Sequence, residues 1–196
     1  VCTGPDAYKE MKLMEKIYHQ PKKILIKGGY TKIDKLIEYK NKSDKIRLFN
    51  NNNINCLLAP SWGENMIVET LGIKVIKILF ESNINVIFRP HPTTLLKSKI
   101  IIKDIKKQFE KNNNFLFNED ISKNESMLAS DIMISDWSGV AIEYALVFNK
   151  PVLFIDVDPK IKNPEYQKID AIPIEVRIRE QIGTIIKKGN LSQMPR

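Results

Sequence analysis

Reactive side chains are scarce in this chain: its 196 residues include only two cysteines, two histidines and two tryptophans. Cys2 and Cys56 make neither a disulfide framework nor a metal-ligand spacing, so a reducing, cytoplasmic setting is the default expectation. No apolar run is long enough to cross a bilayer; the longest, Ile67 to Phe80, is interrupted by Glu69, Thr70, Gly72, Lys74 and Lys77. A secretory signal ahead of Val1 is likewise not expected. Walker A, H-E-x-x-H and G-x-S-x-G sequences are absent, as is any Cys/His cluster, which sets those chemistries aside. Nothing in the sequence calls for a metal or a cofactor.

Acidic residues are the minority, and the formal net charge is +8. A basic chain is drawn to nucleic acid or to an anionic membrane face. Here the lysines are scattered among Asn and Ile, as in Lys22-Lys23, Asn50 to Asn53 and Asn112 to Asn114, a bias that fits an AT-rich genome. No basic cluster is interleaved with aromatics, so nucleic acid is not expected as a partner. Peripheral contact with an anionic membrane, at its inner face, stays open.

The apolar fraction of 43% is that of a globular protein. Short apolar runs read as strands: Lys23 to Ile26, Asn55 to Ala59, Asn85 to Phe88, Phe115 to Phe117, Ile132 to Ile134 and Pro151 to Ile155. Helical spacing is read between them over Glu64 to Ser82, Lys97 to Lys111, Ser122 to Ser130, Ser138 to Phe148 and Arg179 to Lys188. Ser122 and Glu125 have capping-box spacing. Asp156 to Pro173 reads as a long loop at a pocket rim. Strands alternating with helices predict βαβ units, a parallel sheet and one α/β domain, Rossmann-like and doubly wound, over residues 1–196.

In such a sheet, ligands collect outside the carboxyl ends of the strands. Ser138-Gly139 opens a helix there. A first helical turn offers unpaired N–H groups and the positive end of the macrodipole, which favour phosphate. Gly139 lets an oxygen approach the backbone. Asp136 and Ser138 serve equally well as helix caps. Glu143, one turn on, suits the hydroxyls of a ribose; on a mostly buried helix its carboxylate needs a partner. In Arg89-Pro-His-Pro92 two prolines fix where Arg89 and His91 point. Arginine binds phosphate bidentately, and histidine donates to a phosphoryl oxygen or acts as an acid. Ser61 and Trp62 follow another strand, where Ser61 can touch phosphate and Trp62 can line the pocket or cover a base. Trp62 fits a core position equally well. Together these residues suit a nucleotide diphosphate.

Four ordered elements carry a resemblance: Gly28-Gly-Tyr-Thr-Lys-Ile-Asp34, Leu57-Leu-Ala-Pro-Ser-Trp62, Arg89-Pro-His-Pro92, and Ser130-Asp131 with Ser135-Asp-Trp-Ser138. A fifth match is Pro151 ahead of an apolar strand. The chain thereby resembles the CDP-glycerol glycerophosphotransferase family of teichoic-acid and surface-polymer assembly. Thr31 stands where that family usually has proline, and Gly139 where many members have a second serine.

The resemblance implies one half of a GT-B architecture, the C-terminal donor-binding domain, with the N-terminal acceptor domain absent from the chain. It implies transfer of glycerol phosphate from CDP-glycerol to a polymer or lipid-linked hydroxyl, with CMP leaving. Arg89 and His91 would contact the pyrophosphate, and Ser138 with Gly139 would hold phosphate at the helix start. Glu143 is similar to the ribose-binding glutamate of sugar-nucleotide GT-B enzymes. That keeps a glycosyltransferase or nucleotide-sugar epimerase, with a UDP- or CMP-sugar donor, as an alternative, beside a non-catalytic binding module.

Overall fold

Five of the foreseen runs form strands: β1 (Asn55–Leu58), β2 (Asn85–Phe88), β3 (Phe115–Phe117), β4 (Ile132–Ser135) and β5 (Val152–Asp156). A sixth, β6 (Gly183–Lys187), completes one sheet in the order β3-β2-β1-β4-β5-β6, every neighbouring pair parallel. The structure, a computed structural model, describes residues 1–44, 46–120, 123–159, 166–168 and 172–194. The chain runs outward from β1 to β3, then returns to β4 on the other side of β1. That reversal is the topological switch point of a Rossmann-like, doubly wound sheet.

Strand periodicity divides the core in two. Cys56, Leu58, Val86 and Phe88 face α4 (Gly72–Glu81) and α6 (Lys99–Phe109), packing with Val75, Leu79, Ile105 and Phe109. Leu57, Ile87 and Met133 face the other way, against Leu36 of α2 (Thr31–Lys42) and against Tyr144 and Phe148. With both faces covered, the central strands read as continuous apolar runs.

Several elements differ from expectation. Lys23 to Ile26 is no strand: only Lys27 bridges, to Cys2, and Ile24 is 92% exposed. Its apolar side chains have no layer to pack on. The run Arg179 to Lys188 is not one helix: α10 (Arg179–Ile182) is a single turn, after which Gly183-Thr-Ile-Ile-Lys187 joins β5 as an edge strand. The β-branched Thr184, Ile185 and Ile186 favour a pleated surface, which the open edge of β5 supplies.

Glu64 to Ser82 begins helically only at Ile67, as α3 (Ile67–Thr70), and breaks at Leu71 before α4. Lys97 to Lys111 becomes α5 (Pro92–Lys97) and α6, parted at Ser98. Ser138 to Phe148 becomes α8 (Val140–Glu143) followed by a π-helical turn, Tyr144–Phe148. Of Ser122 to Ser130, Glu125–Ala129 is helical as α7, while Ser122 lies outside the described residues. Much of the loop expected after Asp156 lies outside them too. The N-terminal region adds α1 (Pro5–Ile17) and α2, which begins at Thr31 within the Gly28-Gly-Tyr-Thr-Lys-Ile-Asp34 element. A short α9 (Ile174–Arg177) precedes α10.

Candidate functional site

At the carboxyl edge of the sheet, β1 delivers Ser61 and Trp62, β2 delivers Arg89 and His91, and β4 delivers Asp136 through Gly139. A cavity of about 390 Å³ opens there, lined by Ser61, Trp62, His91, Trp137, Ser138 and Gly139. Pro159 and the α9 region, through Pro173, Glu175 and Val176, complete the lining. Five of the eight residues singled out in the sequence thus line one cavity. A surface groove of about 440 Å³ lies elsewhere, along α6.

His91 caps α5, its Nδ1 accepting the Thr93 N–H at 3.1 Å. An Nδ1 that accepts carries no proton, so a neutral ring has its hydrogen on Nε2. The Trp62 ring stands 6.1 Å from the His91 ring, and the Lys97 amine is 5.2 Å from the Trp62 centroid. Gly63 turns the chain after Trp62 with φ of 141°, a conformation that favours glycine.

Gly139 sits at the start of α8 with an ordinary φ of −61°, and a Cβ there would meet nothing within 4 Å. Its lack of a side chain answers no packing demand and leaves open space. Among the described residues, no hydrogen bond engages the Ser138 hydroxyl, while the Ser138 carbonyl accepts from Ala141. The capping alternative for Ser138 therefore finds no support in its side chain.

Asp136 is fully buried. Its Oδ1 accepts the Ser61 N–H at 2.7 Å and its Oδ2 the Ile67 N–H at 3.3 Å. Burial pushes this carboxyl above the usual carboxylate range, while the N–H groups of Ser61, Ile67 and Trp137 favour its charge. It braces the loop from β1 to α3 instead of facing the cavity. Ser61 is nearly buried as well, and its hydroxyl donates to Met66 Sδ at 2.9 Å.

Glu143 also lies outside the cavity lining. Its Oε1 accepts the Tyr30 phenol at 2.6 Å and its Oε2 pairs with the Lys32 amine at 2.7 Å. Burial and the bond to Glu143 push the Tyr30 phenol up to about 12. Arg89, 8% exposed, also sits behind the lining; burial lowers its pKa, and the charges of Glu143 and Asp120 oppose that shift. The partner that a buried Glu143 requires is thus supplied from α2 and the residue before it.

Trp137 was not singled out as a site residue, although it stands within the Ser135-Asp-Trp-Ser138 motif. Its Nε1–H donates to the Val157 carbonyl at 3.0 Å, and the buried Arg179 guanidinium stacks 4.0 Å from its ring. Tyr30 and Lys32 stand within the Gly28-Gly-Tyr-Thr-Lys-Ile-Asp34 element without having been singled out, and Lys97 carried no sequence signal beyond proximity to Arg89-Pro-His-Pro92. Among the described residues no group of three or more His, Cys, Asp or Glu side chains is placed to hold a metal ion. No helix among them is long and apolar enough to cross a membrane.

Comparison with known proteins adds a family. Residues 6–167 match the sequence model described as CDP-Glycerol:Poly(glycerophosphate) glycerophosphotransferase. A 78-residue stretch is 40% identical to the teichoic acid poly(ribitol-phosphate) polymerase of Bacillus spizizenii, covering 36% of this chain and 12% of that protein. Among solved structures, phenylacrylic acid decarboxylase from Aquifex aeolicus is similar over 69% of this chain and 81% of its own, with TM-score 0.42 and 12% identity. A likeness that weak carries no functional argument.

Proposed function

The chain belongs to the CDP-glycerol:poly(glycerophosphate) glycerophosphotransferase family, and on that premise we propose that its strand-end cavity binds the diphosphate of CDP-glycerol. The observation that carries this reading is the convergence of Ser61, Trp62, His91, Ser138 and Gly139 on one cavity at the switch point. The chain spans 12% of the polymerase it matches, so the transferase activity is part of the proposal. In this reading the domain is the donor half of a GT-B pair.

The acceptor hydroxyl attacks the phosphorus that bears glycerol. An O–P bond forms to the polymer end, and the bond from that phosphorus to the bridging oxygen breaks. CMP leaves with the bridging oxygen, and the proton of the acceptor hydroxyl is released to solvent. The helix start at Ser138 and Gly139 and the Nε2–H of His91 stabilise charge as it develops on the phosphates and the leaving group. Arg89 adds positive potential from behind the cavity. Asp136 and Glu143 act at one remove, as the brace of the β1 loop and the anchor of α2. With Glu143 engaged by Tyr30 and Lys32, the ribose contact that suggested a sugar-nucleotide donor loses its support. A soluble nucleotide donor puts the reaction in the cytoplasm, at the membrane's inner face if the acceptor is lipid-linked.

Calorimetric titration with CDP-glycerol, CDP-ribitol, CDP, UDP and a UDP-sugar tests the donor class. CDP-glycerol or CDP-ribitol should bind more tightly than any uridine compound. Preference for uridine compounds would instead favour a sugar transferase or epimerase.

A further inference from the structure

A cationic surface begins near the edge of the cavity. His91 caps α5, Lys97 is the last residue of α5, and α6 begins two residues later at Lys99. The Lys97 amine lies 5.2 Å from the ring of Trp62, a cavity residue. Beyond it runs the α6 groove of about 440 Å³, with Lys99, Lys103, Lys106 and Lys107 above a floor of Leu95 and Ile102, closed by Glu110. Lys99, Lys103 and Lys107 are exposed, and among the described residues none has an ion-pair partner. Lys106 differs: it is paired with Glu119 and lies over the Phe117 ring at 4.1 Å.

Lys99, Lys103 and Lys107 recur every four residues, so their Cα atoms advance ~6 Å per step along the helix axis. A linear polyanion with a phosphodiester charge in each repeat is complemented by such a row of unpaired ammonium groups. We infer that the α5–α6 groove is a track for the anionic acceptor polymer, leading from the cavity edge at Trp62 and Lys97 along α6. This rests on the proposed function, since the polymer is the acceptor of that reaction. Leu96 (71% exposed) and Ile100 (81% exposed) flank the lysines, and an anionic membrane is the other occupant such a face suits. The approach of Lys97 to Trp62 at the cavity edge favours a single chain that ends in the cavity.

The test titrates a synthetic oligo(glycerol phosphate) into the wild-type chain and into Lys99→Gln/Lys103→Gln/Lys107→Gln, over a range of salt. Wild-type affinity should fall with salt; the triple variant should bind about tenfold more weakly or worse, with a salt slope shallower by ~0.7 per lysine removed if these contacts behave like those on single-stranded nucleic acid. CDP-glycerol should bind both proteins equally. Donor binding is read separately, so its failure in the wild type would count against the proposed function and not against the track. Equal oligomer affinity in the two proteins would overturn the track. So would tighter wild-type binding to phosphatidylglycerol vesicles than to the oligomer, lost in Leu96→Ser/Ile100→Ser.

Discussion

The Tyr30 phenol donates to the Glu143 carboxylate at 2.6 Å, joining the residue before α2 to the end of α8 across 113 positions of sequence. Lys32 closes the same carboxylate from its other oxygen. Glu143 thereby fastens α2 to the helix that starts at the cavity.

Tyr30→Phe should destabilise the fold by about 1.5 kcal/mol, the low end for a hydrogen bond to a charged group, because Tyr30 is partly exposed. The effect should depend on pH. The ordinary phenol value is 10.0 and the folded value about 12, raised by burial and then by Glu143. Between those values the folded state binds more protons than the unfolded one, so this contribution is whole below pH 10 and lost as pH rises toward 12. Urea denaturation of wild type and variant at several alkaline pH values should show the gap closing.

Asp136→Ala leaves the Ser61 and Ile67 N–H groups without the acceptor that now holds both. A loss of about 1–3 kcal/mol in urea denaturation is expected. CDP-glycerol affinity should fall with it, because the loop carrying Trp62 loses its brace. Unchanged stability would remove Asp136 from that role.

Gly139→Ala separates packing from ligand contact. The backbone there is ordinary helical and the space open, so stability should hold or rise by up to about 1 kcal/mol. CDP-glycerol affinity should fall, because the added methyl fills the space the diphosphate needs. Thermal melting and calorimetry on one preparation read both effects.

Gly183→Ala should act the other way. A Cβ there would run into the Val152 carbonyl oxygen at the start of the β5–β6 pairing. A loss of about 1–3 kcal/mol is expected from overpacking, read by urea denaturation.

What the sequence disclosed depended on how local the signal was. Asn85 to Phe88 and Phe115 to Phe117 have the same bounds as the observed strands, because each is a short apolar run in a sheet covered on both faces. The polar residues after such runs announced the cavity for the same reason. Gly183 to Lys187 was hidden because it follows Arg179-Glu-Gln-Ile182, and a short apolar run fits helix or strand until tertiary structure decides. Lys23 to Ile26 is the converse: strand-like composition on a segment that pairs only at Lys27. The partners of Glu143 lie more than a hundred residues away, and no spacing rule reaches that far. Asp136 reads alike as ligand or brace until its burial is known.

The most direct measurement is the affinity of CDP-glycerol for wild type, His91→Ala, Ser138→Ala and the double variant. If the diphosphate lies between the His91 ring and the helix start at Ser138, each single substitution should weaken binding by about 10- to 100-fold, the range expected for a hydrogen bond to a charged group. Wild-type affinity retained in both single variants would contradict the account.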